Sequence, residues 1–487
     1  MTTPCFPAFA SLFAQQVDQL RAATGAALHQ FQALFEAWIP HYRLAQQDQG
    51  PHSRHRQWNL RLVFWTFLWQ IAQAGASCRE AIRQARALCR LQQRPLPSTQ
   101  TSPYCQARSQ LPLERLDEIH QAVVTEAQTA VASRDLWCGL RVHVVDGTSL
   151  TAADTPENQQ AFPQQKGQRP GCGFPILRLL AFFALATGMI SAWIHGPWDQ
   201  SELALLQQLW DHLRPGELLL GDRGFCSWGL LAQCQARQVH AVFRVRGCRR
   251  RDFRRGQRLS ADQRLVHWDK PTRRARTVTA AEWALLPDTL CLRLVRCRLN
   301  VRGFRTRQVI LVTTLLDAQS YPVHALSQLY LRRWEMELTL RHLKGTLQMD
   351  HLSCKTPENL EREIRLHLLV HNLVRRVMLE AARRHRAPLN RLSFAGALAA
   401  ARRCAEGLLQ ARSKGQRQQL LDQLFADVAA DLLPDRPGRR EPRAVKRRPK
   451  PYPRLMCHRS KFKEIQHQNR YYKNSPYHRK HPKFLRA

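Results

Sequence analysis

The sequence predicts an α/β protein with a helical N-terminal domain, a mainly β insertion and a basic C-terminal tail. Three observations carry that expectation. Short apolar runs, Val142-His143-Val144-Val145 and Leu218-Leu219-Leu220-Gly221, alternate mid-chain with helix-periodic stretches, the order of an α/β layered domain. Before them, apolar residues recur at helical spacing. After Asp435 the composition shifts toward lysine, arginine and proline.

Taken in order, residues 1–135 read as helical, with apolar periodicity through Phe9 to Trp38 and again from Leu60 to Ile71. Between Ser77 and Leu113 two shorter helices are expected, joined by Arg94-Pro95-Leu96-Pro97. Such a pair with a basic face suits a DNA-reading element, and an ordinary helical domain fits the same pattern. Residues 136–385 read as the α/β domain. Its elements are a strand at Val142–Val145, a hairpin over Ile176–His195, helical pieces at Ser201–Leu213 and Trp228–Gln238, and strands at Glu217–Gly221 and His240–Arg246. The apolar stretch Leu179–Ile194 is short for a membrane span and is divided by Thr187-Gly188, so a buried hairpin is expected rather than a membrane helix.

Residues 245–306 interrupt this domain. Arg244–Arg258 holds eight arginines against one aspartate, too charged for a core element, and Leu290–Leu299 and Arg307–Thr314 read as strands. Gln308–Asp317 re-enters the main domain, and a long helix follows Tyr321-Pro322. Residues 386–435 read as a C-terminal helical region. Residues 436–487 contain 18 Lys or Arg against 2 acidic residues, a composition that builds no core and suits a disordered nucleic-acid arm.

The formal charge is +38, from 75 basic against 37 acidic residues. That excess implies a polyanionic partner, nucleic acid first. Fourteen cysteines show no Cys-x-x-Cys pair, which argues against a zinc finger and for reduced core thiols in a cytoplasmic protein. His367 and His371, four apart on a predicted helix, lack a third ligand and read as core or surface residues. Trp193 and Trp198 read as packing residues beside the hairpin.

Tyr330, Arg333, Glu337 and Lys344 stand at offsets of 3, 7 and 14 from the first. On one α-helix these fall within about a 60° sector. A carboxylate among phosphate-binding groups suggests metal-assisted chemistry on a polyanion. Asp146 and Asp222, each at the end of an apolar run, supply two more acids. Three carboxylates in one pocket need a cation, and Mg²⁺ accepts a few carboxylates plus water and phosphate oxygens. Arg333 and Lys344 suit a phosphate grip. Tyr330 suits a hydrogen bond to phosphate, and Arg223 a phosphate contact or a counter-charge.

Asp146-Gly147-Thr148, Gly221-Asp222-Arg223-Gly224-Phe225 and Tyr330-x2-Arg333-x3-Glu337-x6-Lys344 together resemble the DDE transposases of the bacterial insertion-sequence-four family, the third being its Tyr-Arg-Glu-Lys signature. Asp154-Thr155-Pro156-Glu157-Asn158, Leu315-Leu316-Asp317, Lys355-Thr356-Pro357-Glu358-Asn359 and Tyr104-Cys105-Gln106-Ala107-Arg108 also resemble family blocks. The resemblance spans roughly residues 75–380.

It implies an RNase H-like catalytic domain and two Mg²⁺ ions, with Mn²⁺ as a substitute, held by Asp146, Asp222 and Glu337. It further implies cut-and-paste transposition through a hairpin intermediate, on element ends and target DNA, by a homodimer in a synaptic complex. Trp334 occupies the place of an aromatic that stacks a flipped base, though a helix tryptophan also suits a core. Trp268 and Trp283 are candidates for a second stacking aromatic in the insertion. The basic tail departs from the family pattern. A noncatalytic DNA-binding derivative would be expected to have lost an acid. A metal-dependent nuclease would share the acids but not join strands.

Overall fold

The computed structural model describes residues 28–44, 57–167, 171–246, 253–299, 308–408, 411 and 413–434. The expected basic arm at 436–487 and the start of the N-terminal helical stretch lie outside the described residues.

Among the described residues nine strands form one sheet. In chain order they are β1 (Val142–Thr151), β2 (Ile176–Ala184), β3 (Met189–Pro197), β4 (Leu218–Gly221), β5 (His240–Arg244), β6 (Gln257–Ser260), β7 (Gln263–Asp269), β8 (Thr289–Arg298) and β9 (Gln308–Thr313). Across the sheet they run β3-β2-β1-β4-β5-β9-β8-β7-β6. β4 lies parallel to both β1 and β5; the other neighbouring pairs are antiparallel.

Strand side chains alternate between faces, and here both faces are covered. Val144, Leu218, Leu220 and Val242 enter one core beneath helices Leu60–Ala72 and Pro357–His385. Val145, Leu219, Ala241 and Phe243 enter the other with helix Trp228–Ala236. Burial on both sides explains why the strands read as continuous apolar runs rather than alternating ones.

The apolar stretch 179–194 is the β2–β3 hairpin, as expected, and no described helix is long and apolar enough to cross a membrane. Gly188 turns it at φ +67° with the Arg375 guanidinium packed so close that no Cβ would fit.

β8 and β9 fall where the sequence places them, whereas β6, β7 and the helix Ala280–Leu285 were not anticipated. The β-rich segment does not stand apart: β9 pairs with β5, so β8, β7 and β6 continue the same sheet. Arg293 shows how an arginine-laden strand is accommodated. It is fully buried on β8, where its guanidinium donates to the Leu315 and Asp317 carbonyls and to Gln263. Trp283 packs on Trp228 with ring centroids 5.2 Å apart, and Trp268 also packs against this core.

Local chemistry fixes the helix starts. Ser77 accepts from Glu80 N at 3.2 Å ahead of helix Cys78–Leu91, the first half of a capping box. The two Thr-Pro-Glu-Asn blocks each open a helix, Pro156–Ala161 and Pro357–His385, with proline at the first turn, where its missing N–H costs nothing. They also hold each other. Thr155 Oγ1 donates to Lys355 O at 2.7 Å, and Asn158 donates to Cys354 O at 3.1 Å.

Candidate active site

β1 and β4 bring the first two acids together through register. Their parallel pairing ends at Val144↔Leu220, and Asp146 and Asp222 each stand two residues further on. Asp222 follows β4 directly, as expected. Asp146 does not end its strand. β1 runs on to Thr151 because Asp146 through Thr151 stay paired with β2, so Gly147 lies within a strand rather than a turn. Both carboxylates accept a nearby backbone N–H, Gly147 N to Asp146 Oδ1 at 2.9 Å and Gly224 N to Asp222 Oδ1 at 2.5 Å.

The third side is not the single helix the spacing predicts. It consists of helix Val323–Arg332, a second helix Trp334–Arg341 and a π-helical turn His342–Thr346. Around Arg333 the backbone tightens, Arg333 N bonding Tyr330 O and Met336 N bonding Arg333 O. At the far end it widens, Leu347 N bonding His342 O. These departures re-aim the row. Arg333, Glu337 and Lys344 still line one cavity of about 590 Å³ with Asp146, Gly147 and Asp222. Tyr330 is only 8% exposed and does not line it; its ring lies 5.7 Å from the Arg333 guanidinium.

Arg333 joins the acids. Its Nη2 donates to Glu337 Oε1 at 3.1 Å, and its Nη1 lies 4.0 Å from Asp146 Oδ2. Lys344 Nζ pairs with Asp350 Oδ1 at 3.0 Å. Asp350 and Arg341 also line the cavity, two residues the sequence reading missed. A third missed residue, Glu202, opens the helix Glu202–Leu206. A Cβ built on Gly147 would sit 2.6 Å from its Oε1, so glycine lets the Glu202 carboxylate approach the strand closely. No pairwise spacing in the sequence links Glu202 to Gly147; only the return of the chain after β3 does.

Negative charge crowds this pocket. Burial pushes the Asp146 carboxyl up to about 6, with the Gly147 N–H and Arg333 drawing it down and Asp222 and Glu202 adding to the rise. Burial likewise raises Glu202, against the pull of Arg178. Among the described residues no three His, Cys, Asp or Glu side chains converge closely enough to hold a metal ion directly. The acids ring the cavity, and Arg333 is the cation between two of them.

Besides Tyr330, two further sequence candidates lie apart from the cavity lining. Arg223 is exposed beside Asp222, its carbonyl accepting from Arg246 Nε at 2.9 Å. Trp334 is 39% exposed, so it is not a core residue. His367 and His371 are buried, as the core reading expects, and His371 stacks on Phe394 at 5.1 Å. Trp193 stacks on His195, and Trp198 donates to Gln164 O.

Residues 137–373 match the Transposase DDE domain family. The chain is 30% identical over 321 residues to "Transposase InsG for insertion sequence element IS4" of Escherichia coli (strain K12), across 65% of this chain and 70% of that protein. A cryo-EM structure of the piggyBac transposase synaptic complex with hairpin DNA aligns over 84% of this chain and 85% of that one, at 10% identity and a TM-score of 0.40; that likeness is too loose to carry an argument. On the first two matches the chain belongs to the insertion-sequence-four (IS4) family of DDE transposases, the DNA transposases of insertion sequences.

Proposed function

We propose that this transposase binds the inverted-repeat ends of its element and moves it by divalent-cation-dependent cut-and-paste chemistry, with Asp146, Asp222 and Glu337 as the catalytic, cation-holding residues. The observation that carries the reading is the meeting of these three acids, from three distant segments, around one cavity that also holds Arg333 and Lys344. The donor set suits Mg²⁺, or Mn²⁺ in its place. It is all oxygen, and Mg²⁺ is held by one or two carboxylates with water and substrate phosphate completing the shell, so the acids need not touch a common point. When bound, two such cations supply activation of the attacking oxygen and charge neutralisation at the leaving one.

The chain's own residues do the rest. Arg333 holds Asp146 and Glu337 in place and offers its fork to a phosphate. Lys344, on the π turn, exchanges Asp350 for the same strand. Tyr330 serves beneath Arg333 as a buttress, and Arg223 reaches DNA at the cavity's edge. Exposed Trp334, next to Arg333, is placed to stack a flipped base in a hairpin step. In that route a nick frees a 3′-hydroxyl, which attacks the opposite strand to close a hairpin. The hairpin is reopened by hydrolysis, and the same 3′-hydroxyl attacks target DNA.

An RNase H-like domain is supported by the half-sheet β3-β2-β1-β4-β5, with β4 parallel to β1 and β5 and the β2–β3 hairpin antiparallel. Residues 1–135 serve as the DNA-binding domain, 136–385 as the catalytic domain with its insertion at about 245–306, and 386–435 as a C-terminal helical region. Residues 436–487 act as a basic DNA arm, and the active species is a cytoplasmic, nucleoid-associated homodimer in a synaptic complex.

Glu337→Ala is expected to abolish Mg²⁺-dependent cleavage of element-end DNA while leaving end binding within a few-fold of wild type. Wild-type cleavage by this variant would remove Glu337 from the site. Joining of the cleaved 3′ end to a second DNA separates a transposase from a nuclease that shares the acids.

A further inference from the structure

Arg108 closes the block Tyr104–Arg108, which the proposed active site does not use. Its side chain is buried over Phe67, the guanidinium carbon 4.0 Å from the ring centroid. Among the described residues it has no carboxylate in ion-pair range. The carboxylate of Glu363, whose field reaches Arg108, accepts from Ser353 N, Ser353 Oγ and Cys354 N. Two sulfurs, beside the Tyr104 hydroxyl, take the place of carboxylate oxygen around this cation. Nη2 lies 2.8 Å from Cys354 Sγ, Nη1 lies 3.6 Å from Cys78 Sγ, and Nε has no partner.

A buried guanidinium without a counter-charge is costly, and a cysteine supplies one only as thiolate. Of the two neighbours, Cys354 is buried, and its thiol is pushed up by burial and then by Glu363. Cys78 is placed differently. It is half-buried and is the first residue of helix Cys78–Leu91, where the helix dipole favours an anion. Gln70 Nε2 donates to its sulfur at 3.7 Å. The exposed Cys105 thiol, on the neighbouring helix Thr101–Ser109, is close enough for its field to reach the same sulfur.

We propose that Cys78 is a resident thiolate held by Arg108, and that with Cys105 as resolving thiol it forms a peroxide-sensitive modification site in the N-terminal helices. The neighbouring Cys105 thiol, with Arg108 and Gln70, lowers the Cys78 pKa against the opposing effect of burial. In the first step the Cys78 thiolate attacks one oxygen of hydrogen peroxide. The S–O bond forms, the O–O bond breaks, and hydroxide leaves. The Cys105 thiol then attacks the sulfenic sulfur: the S–S bond forms, the S–O bond breaks, and the oxygen leaves as water with the Cys105 proton. Two thiol sulfurs lose two electrons, and peroxide gains them. The disulfide ties the start of helix Cys78–Leu91 to helix Thr101–Ser109 and strips Arg108 of its counter-charge beside Cys354. This inference stands apart from the cleavage chemistry.

The test is iodoacetamide labelling of the full-length protein, read by peptide mass spectrometry at Cys78, Cys105 and the exposed Cys138. At pH 6.5 Cys78 should label at least about tenfold faster than Cys138, and its rate should stay flat down to pH 6 while that of Cys138 falls about tenfold per pH unit. Stoichiometric hydrogen peroxide should yield a peptide linking Cys78 to Cys105. Cys105→Ser should instead leave a Cys78 sulfenic acid that dimedone traps. Arg108 is buried, so its variants risk misfolding; Cys105 is exposed, and its serine variant keeps the test on folded protein. Labelling of Cys78 no faster than Cys138, or peroxide treatment giving neither the linked peptide nor the trapped sulfenic acid, would overturn the proposal.

Discussion

Two half-buried arginines lie on opposite sides of the signature segment Val323–Thr346, Arg333 within it and Arg375 on helix Pro357–His385, and they sit in opposite electrostatic surroundings. On the cavity side Arg333 faces Asp146 and Glu337, and although burial opposes its charge, Tyr330 and these carboxylates hold its pKa above the usual arginine value. On the far side Arg375 donates to the Thr187 carbonyl at 2.9 Å, and burial draws it down to about 10 against the lone pull of Glu335. Around Arg375 lies a small cavity of about 60 Å³, lined also by His342 and Phe394. The histidines here are neutral, burial lowering half-buried His342 to about 4 and fully buried His371 to about 3. One side concentrates charge that awaits a partner; the other excludes charge and satisfies what it keeps. The difference separates the proposed ligand site from a joint that holds the segment to the β2–β3 turn.

The largest expected effect tests the joint. Arg375→Ala leaves the Thr187 carbonyl without its donor and opens a cavity behind Gly188, so it should cost about 4 kcal/mol in denaturant unfolding. A loss under about 1 kcal/mol would show that the far side holds nothing in place.

Asp146→Asn tests the opposite side and should have the opposite sign. Moving a carboxyl from 3.8 to about 6 corresponds to roughly 3 kcal/mol of strain when the group is ionised. The folded cation-free protein binds this proton more tightly than the unfolded chain. Its cost is therefore full above pH 6 and relieved as pH falls toward 4. Asp146→Asn should raise the cation-free Tm at pH 7.5 and lose that advantage near pH 4. Saturating Mg²⁺ should shrink the gain, because bound cation stabilises the wild type. A lower Tm for the variant at pH 7.5 without cation would contradict a charge-strained pocket.

The histidines bend the pH profile the other way. His120, His342, His367 and His371 all have folded pKa values lowered by burial. The unfolded chain takes up protons below about pH 6.5 while the folded one does not, so their stabilisation falls as pH drops from 6.5 toward 4. In Asp146→Asn the opposing carboxylate contribution is gone. Its stability should therefore fall more steeply than wild type between pH 6 and 4. Parallel profiles from chemical denaturation would mean that the two sides do not oppose each other.

Glu202→Gln should have the smallest effect, a cation-free gain below about 1 kcal/mol at pH 7.5, as expected for removing one like charge near a partly solvated site. Its sharper reading is the Asp146 titration by carbon NMR, which should move to lower pH. An unmoved titration would place Glu202 outside the field of the pocket.

Much of the site was legible because its residues carry chemistry at fixed spacing. Asp146 and Asp222 were found by their position after apolar runs, and Glu337 by its place in the row. The hairpin at Thr187-Gly188 and the strands β8 and β9 were legible from apolar runs with turn residues between them. β6 and β7 were not, since β6 is a short, mostly exposed strand and β7 is half-buried without a clean apolar alternation; β7 is a strand through pairing with β8, and β6 through pairing with β7. Tyr330 stands outside the cavity lining because the backbone tightens at Arg333 and widens at His342–Thr346, where the spacing predicts one regular helix. Glu202, Arg341 and Asp350 were missed because single charged residues in a basic chain carry no local signal.

The family, the positions of the three candidate acids and the covered apolar strands are read from the sequence alone, because residue type and short-range periodicity encode these directly. Tertiary structure decided how far β1 continues past Asp146, which members of the row face the cavity, and that Glu202 lies against Gly147. Each of those depends on pairing and packing between segments distant in the chain, where the free energy is set by neighbours that no local window contains.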